Sequence, residues 1–361
     1  MKGEKLFIRK KSELTPDKAY FIKMRKDGKC PFLESNNFCR IHSDLGYEAK
    51  GASCKLFPLT LLEGPKGIHV RLSFYCPAVA NNEGKSLNAQ ERWLSQSYRL
   101  SGAPSFSENL ILAEGVSIKY GELLVLESSL LKIMKSEQRS FAERLALGGA
   151  LIEYLIESAN KNEKERVSKL VKEMEKLDFD PLMERVAQHA PSPLRGRIAL
   201  ALFLLQDTKP TALARLARLP SMLFLSLFKA GTFKSHLLGS KATLGNLVKI
   251  KFDCGEDSSE VLTRYFEQKI IGKRYVEGDL TVEGGWALIC TAYKLIELFA
   301  KLRAVSERRD ITTKRDVIAG AGATDLLAVE HTVFFQIGTT RRLANLILNQ
   351  PTMYKNVLGA I

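Results

Sequence analysis

Four of the chain's six cysteines, Cys30, Cys39, Cys54 and Cys76, fall in the single stretch from Cys30 to Cys76, far denser than an even scatter along 361 residues. Four thiolates complete the tetrahedral shell of Zn²⁺ or hold the irons of a [4Fe–4S] cluster, and either metal lowers the thiol pKa enough to be bound by the deprotonated form. The intervening lengths are eight, fourteen and twenty-one residues, with no CxxC pair, which argues against a zinc ribbon or knuckle. Cys30 and Cys76 each precede a proline, which holds the cysteine backbone extended and removes a competing amide donor. Phe32, Leu33, Phe38, Ile41, Phe57 and Phe74 flank the four and are expected to keep water off a cluster. His42, three residues after Cys39, reads either as a substitute ligand or as an ordinary surface histidine. The competing reading of the four thiols is an inert cysteine-rich core. Cys290 lies among apolar residues at helical spacing and reads as a small buried hydrophobe. Cys254 has acidic neighbours that would raise its pKa, and neither of these two is given a role.

The elements that must position these thiols differ in character along the chain. Residues 1–86 are turn-rich, with short β-compatible pieces such as "GIHVRLSFY" (67–75), where Ile68, Val70, Leu72 and Phe74 alternate with more polar neighbours. From residue 87 onward, segments such as "GELLVLESSLLKIM", "SFAERLALGGALIEYLI", "EVLTRYFEQKII" and "GGWALICTAYKLIELFAKL" carry apolar residues three and four apart, the mark of helices with a buried face. "HAPSPLRG" and "FDCGEDSS" read as breaks. The expected architecture is mainly α: a small cysteine-rich region, 1–86, with a short β-hairpin, packed on a larger all-helical domain, 87–361. The helix containing Trp286 and Cys290 is expected among the most buried, because apolar residues occupy nearly every side of it.

A hydrophobic content of 45% is ample for a large core. The charged N-terminus lacks a secretory signal and no apolar run approaches the length of a spanning helix, so a cytoplasmic protein without a membrane span is expected. In that reducing setting clustered thiols point to metal rather than disulfides. The net charge of +14 favours acidic partners, among them nucleic acid. Arg215 and Arg218 in "KPTALARLARLP" stand at helical spacing, although aromatics for base stacking are not interleaved with them.

The ordered set Gly28, Cys30, Pro31, Phe32, Leu33, then Cys39 and Ile41, Leu45 and Gly46, Cys54, Phe57 and Pro58, and finally Ser73, Cys76 and Pro77 resembles the core of the flagellin lysine-N-methylase family and the related CxxxCxxCC-type cysteine-cluster proteins. "AVEHTVFFQI" is similar to a Glu-His helix near the C-terminus of that family, with Glu330 and His331 at the matching places. The N-terminal CxxxCxxCC group that family members carry is lacking in this sequence. The resemblance implies a [4Fe–4S] cluster, with zinc as the alternative, on Cys30, Cys39, Cys54 and Cys76. It also implies methyl transfer from S-adenosylmethionine to lysines exposed on a protein substrate such as a flagellin. The residues alone place no S-adenosylmethionine site: the glycines of "LALGGALI" and "GAGATDLL" sit in helical patterns and read as close-packing positions. As general bases for a lysine substrate, Glu330, Tyr120 and Tyr275 are the available types, but no catalytic residue is assigned. Two other functions stay open: a non-catalytic protein-binding module stapled by metal, and a basic nucleic-acid binder.

Overall fold

The computed structural model describes residues 6–11, 18–25, 29–161, 181–182, 184, 192–207, 217–222, 227, 230–252, 255–329, 343 and 345–360. Arg215, Cys254, Glu330 and His331 lie outside the described residues. The chain is mainly helical, with only two-stranded antiparallel sheets among the described strands. It divides into two compact units, one of Met1–Leu59 with Lys85–Ala103, the other of Thr60–Gly84 with Pro104–Ile361.

In the first unit β1 (Phe7–Lys11) pairs with β2 (Lys18–Ile22) in a register that runs from Phe7 opposite Ile22 to Lys11 opposite Lys18. Two short helices follow, α1 (Arg40–Leu45) and α2 (Ala52–Leu56), and neither contains a buried residue.

The second unit takes β3 (Leu59–Gly64), β4 (Gly67–Leu72) and the one-turn helix α3 (Pro77–Ala80) from the cysteine-bearing part of the sequence. The first unit in turn takes α4 (Glu91–Ser101), which packs against α2 and ends on Gly102 in the left-handed conformation. In β4 the expected alternation meets a charged exception: Ile68 is exposed and Arg71 is buried. Arg71 tolerates burial because its guanidinium donates to the Gly272 carbonyl at 2.9 Å and to Glu277 Oε2 at 2.7 Å.

Within the region expected to be helical, two hairpins occur: β5 (Asn109–Ala113) with β6 (Val116–Lys119), turning at Gly115 with φ +76°, and β7 (Thr232–Lys234) with β8 (Lys241–Thr243). The described α-helices of this region are α5 (Tyr120–Met134), α6 (Phe141–Lys161), α7 (Pro193–Leu204), α8 (Leu244–Lys249), α9 (Glu256–Ile271), α10 (Val282–Ser306), α11 (Lys314–Thr324) and α12 (Met353–Leu358).

The core of this unit forms around α10, which is buried on nearly every side, as its apolar composition requires, and packs against α6, α7, α11 and α12. Its N-cap, Thr281, accepts the Gly284 N–H at 3.0 Å. Trp286 lies wholly buried and donates its indole N–H to the Leu145 carbonyl at 2.9 Å. Gly148 on α6 makes room for that ring, since a Cβ there would stand 2.2 Å from it. Gly320 on α11 likewise passes against the α10 backbone, 2.6 Å from the Ile296 carbonyl oxygen to a built Cβ. The glycines of "LALGGALI" and "GAGATDLL" are thus packing positions.

Candidate metal centre

Three of the four thiols belong to the first unit, and backbone bonding ties two of them to one loop. The Cys30 carbonyl accepts the Leu33 N–H at 3.1 Å around Pro31, and Leu33 pairs with Cys39 as an isolated antiparallel bridge. Between them the Glu34 N–H donates to the Phe38 carbonyl at 2.9 Å, and Asn37 supplies the left-handed turn with φ +66°. Arg25 fastens the loop from outside, donating to the Pro31 and Leu33 carbonyls at 3.0 and 2.6 Å. Cys39 then starts α1 from an extended backbone, and Cys54 sits inside α2.

All three cysteines are free thiols, Cys30 and Cys39 half-buried and Cys54 exposed. The Cys54 thiol is held above its ordinary pKa, first by partial burial and further by the charges of Cys30 and Cys39, with Lys50 pulling the other way. Cys54 therefore lies within electrostatic reach of both Cys30 and Cys39. Among the described residues no three His, Cys, Asp or Glu side chains are already gathered as a metal-ion site. The donor type still suits a soft metal: a thiol releases its proton to solvent when the thiolate coordinates a cation, and that cation would relieve the repulsion Cys54 feels from Cys30 and Cys39. His42 is exposed, edge-on to Tyr47 at 6.2 Å between ring centroids. Phe38 and Phe57 are also exposed, so these two do not supply the water-excluding cover expected of them.

Cys76 belongs to the second unit, and the surrounding core holds its backbone on both sides. It caps α3 ahead of Pro77, with its N–H on the Ser73 carbonyl at 3.1 Å. Two residues earlier the Phe74 N–H donates to Asp325 Oδ2 at 2.7 Å. The fully buried Asp325 also accepts the Tyr265 hydroxyl at 2.8 Å and pairs with the buried Lys269 at 3.1 Å. Beyond Cys76, Arg264 donates to the Val79 and Ala80 carbonyls at 3.2 and 2.9 Å. Gly322 on α11 lets the Phe74 backbone approach.

The two tyrosines considered as bases both feel the charge of one carboxylate in the second unit, Glu127. Glu127 pairs with the buried Lys273 and accepts the Tyr275 hydroxyl at 3.3 Å. Burial and the Glu127 charge push the Tyr275 phenol well above its ordinary pKa, and the same two causes raise Tyr120. Neither gives up its proton near neutrality, so neither serves as a base there. The Tyr120 hydroxyl lies 3.2 Å from His69 Nε2. His69 is pushed down to about 4 by burial and the nearby Lys273 and Arg71 charges, and so stays neutral.

Sequence reading missed Glu127, Lys269, Lys273 and Asp325 as buried charges. A signal existed for Lys269, which follows Tyr265 by four residues on the apolar side of α9. Arg218, weighed above as part of a basic footprint, is turned inward: it donates to the Asp207 and Lys234 carbonyls and lies over the Phe233 ring.

Comparison with known proteins gave no match: no family model matches the chain, and neither a search of the curated proteins nor one of the solved structures found a similar protein. The similarity to the flagellin lysine-N-methylases therefore rests on the motifs of the sequence itself.

Proposed function

We propose that this is a thiolate-metal protein in which Cys30, Cys39, Cys54 and Cys76 hold a [4Fe–4S] cluster, with zinc as the alternative, in a reducing cytoplasmic setting. Following the resemblance of its cysteine motifs, its activity is methyl transfer from S-adenosylmethionine to exposed lysines of a protein substrate such as a flagellin. The observation that supports the metal reading is that Cys54, on a short helix with no buried residue, feels the charges of both Cys30 and Cys39, which one backbone-bonded loop carries. When bound, the metal supplies a cationic centre that holds these thiols deprotonated. The chain's own residues position them: Arg25 fixes the turn that carries Cys30, the pairing of Leu33 with Cys39 sets the second thiol, and Asp325 with Arg264 fixes the backbone around Cys76. The test is transfer of a labelled methyl group from S-adenosylmethionine to a lysine-bearing protein by anaerobically purified chain. The reading predicts label on lysine that is lost in Cys54→Ser.

A second reading has its own support. Because α1 and α2 bury nothing, the first unit is the kind of small region that a structural metal stabilises where apolar burial is insufficient. In that case the protein is a metal-stapled helical module for protein binding. Metal bound through the same cysteines without methyl transfer would select this second reading over the first.

A further inference from the structure

The first unit buries little and leaves its rings in solvent. Among its described residues Pro31 and Leu59 are the only buried apolar ones. Four of the five exposed Phe and Tyr side chains of the described chain lie in this unit: Phe7 at 51%, Phe38 at 65%, Tyr47 at 37% and Phe57 at 41%. The same unit is strongly basic. Met1–Leu59 with Lys85–Ala103 holds sixteen Lys and Arg against eight Asp and Glu, so +8 of the chain's +14 sits on 78 of its 361 residues. Even with every one of those acids paired inside the unit, eight cations exceed what it can neutralise.

Rings and cations alternate on this unit. Lys50 and Lys55 hold their ammonium groups 5.7 and 5.8 Å from the centre of the Tyr47 ring, and Phe57 follows Lys55 by two residues. Phe38 precedes the exposed Arg40 by two, and the Arg40 N–H donates to the Phe32 carbonyl at 2.8 Å. The Phe32 ring lies 6.1 Å from that of Phe7, which joins the β1–β2 hairpin to the loop carrying Phe38. Next to Phe7, the exposed Lys23 donates its N–H to the Leu6 carbonyl at 2.8 Å. Arg40 and Lys55 also meet carboxylates, Asp44 at 3.9 Å and Glu48 at 2.8 Å. Those acids are exposed, and pairs of that kind are weak enough for a phosphate to compete.

We propose that the first unit binds single-stranded nucleic acid, its exposed rings stacking on bases while its surplus cations neutralise phosphates. This inference goes beyond methyl transfer and does not rest on the metal reading. A single strand repeats a flat apolar base and a negative phosphate at every nucleotide, and rings beside cations match that repeat. An acidic protein would answer the charge without calling for rings. A duplex hides its base faces, and α1 and α2, of six and five residues, are too short to read a groove. With Arg218 turned inward, the first unit is the stronger basic surface.

Fluorescence anisotropy of the full chain with labelled oligothymidylate and oligouridylate of about 20 nucleotides, longer than one such site needs, is the test. Binding to either supports the proposal, and the tighter of the two names the sugar recognised. Affinity should fall about 50-fold between about 50 and 200 mM salt if four phosphates are contacted, and Lys23→Gln should make that fall shallower. Phe38→Ala should weaken binding roughly 5- to 150-fold, the loss of one stacked base, whereas Phe38→Trp should keep it. Circular dichroism of each variant checks that it folds; if Phe38→Ala does not, the salt dependence and the preference for single strand over duplex in the unaltered chain decide. No binding at the lower salt, affinity indifferent to salt, equal affinity for a duplex, or a well-folded Phe38→Ala that binds as tightly would each overturn the proposal. So would poly-glutamate competing as well as the oligonucleotide, which would assign the surface to an acidic protein.

Discussion

Cys54 and Cys290 are the same residue in opposite surroundings, and the account assigns them opposite roles. Cys54 is exposed and feels the charges of two other thiols, whereas Cys290 is wholly buried in α10 and burial alone pushes its thiol far up. Replacing Cys54 with Ser should abolish metal binding, because a hydroxyl is a poor ligand for a soft metal. Cys290→Ser should leave metal content unchanged and cost about 1–3 kcal/mol in a denaturant melt, the penalty of burying a hydroxyl. That penalty falls to the low end if the new hydroxyl bonds back to a helix carbonyl, as Thr291 does to Ala287 at 2.8 Å.

Asp325 gives a second test at this scale. Asp325→Ala should destabilise the second unit by about 3–5 kcal/mol, since it strands the buried Lys269 ammonium and the Phe74 N–H. Urea unfolding measures that loss directly. The cysteines could be read from the sequence because their type and clustering carry their chemistry. The buried charges could not, because a charge reads as outward-facing until a partner far along the chain is known; Phe74 and Asp325 meet across 251 positions.

Among the elements, α10 could be recognised from its sequence because apolar residues occupy every side of it, a pattern that demands burial whatever the neighbours turn out to be. The hairpins β5–β6 and β7–β8 could not, since strands of three to five residues are too short to establish a period of two against the surrounding helical pattern. The glycines of α6 were recognisable as packing positions, but what each one touches depends on how the helices cross. Two glycines in helices should therefore respond oppositely to alanine. Gly148→Ala drives a methyl into the Trp286 ring and should cost about 1–3 kcal/mol, visible as a lowered Tm. Gly121→Ala, with nothing within 4 Å of the added Cβ, should be neutral or stabilising by about 0.5–1 kcal/mol.

For the whole molecule, two buried groups set opposing pH slopes. His69, pushed down to about 4 from 6.5, costs the folded chain stability as pH falls through that window. Glu283, raised from 4.5 to about 7, costs it stability as pH rises. The two effects partly cancel between about 4.5 and 6.5. The Tm of Glu283→Gln, measured against pH, should therefore climb more steeply through this window than that of the unaltered protein, with the gap widening up to about pH 7. A gap that stays constant with pH would remove Glu283 from the account of stability.

The mainly helical character at this scale followed from periodicity, and no described helix is long and apolar enough to cross a membrane. The exchange of segments that gives the first unit Lys85–Ala103 and the second Thr60–Gly84 was not legible. It depends on which short helices and strands find partners, and composition does not encode that.

The central claim is that the clustered thiols bind metal. Its most direct measurement is the iron, zinc and acid-labile sulfide content, with the visible absorption, of the chain purified without oxygen, beside Cys54→Ser and Cys290→Ser prepared in the same way. The account predicts about four irons and four sulfides per chain, or one zinc, present in the unaltered protein and in Cys290→Ser and lost in Cys54→Ser. Equal metal content in all three, or none in the unaltered protein, would contradict it and return Cys30, Cys39, Cys54 and Cys76 to the inert reading.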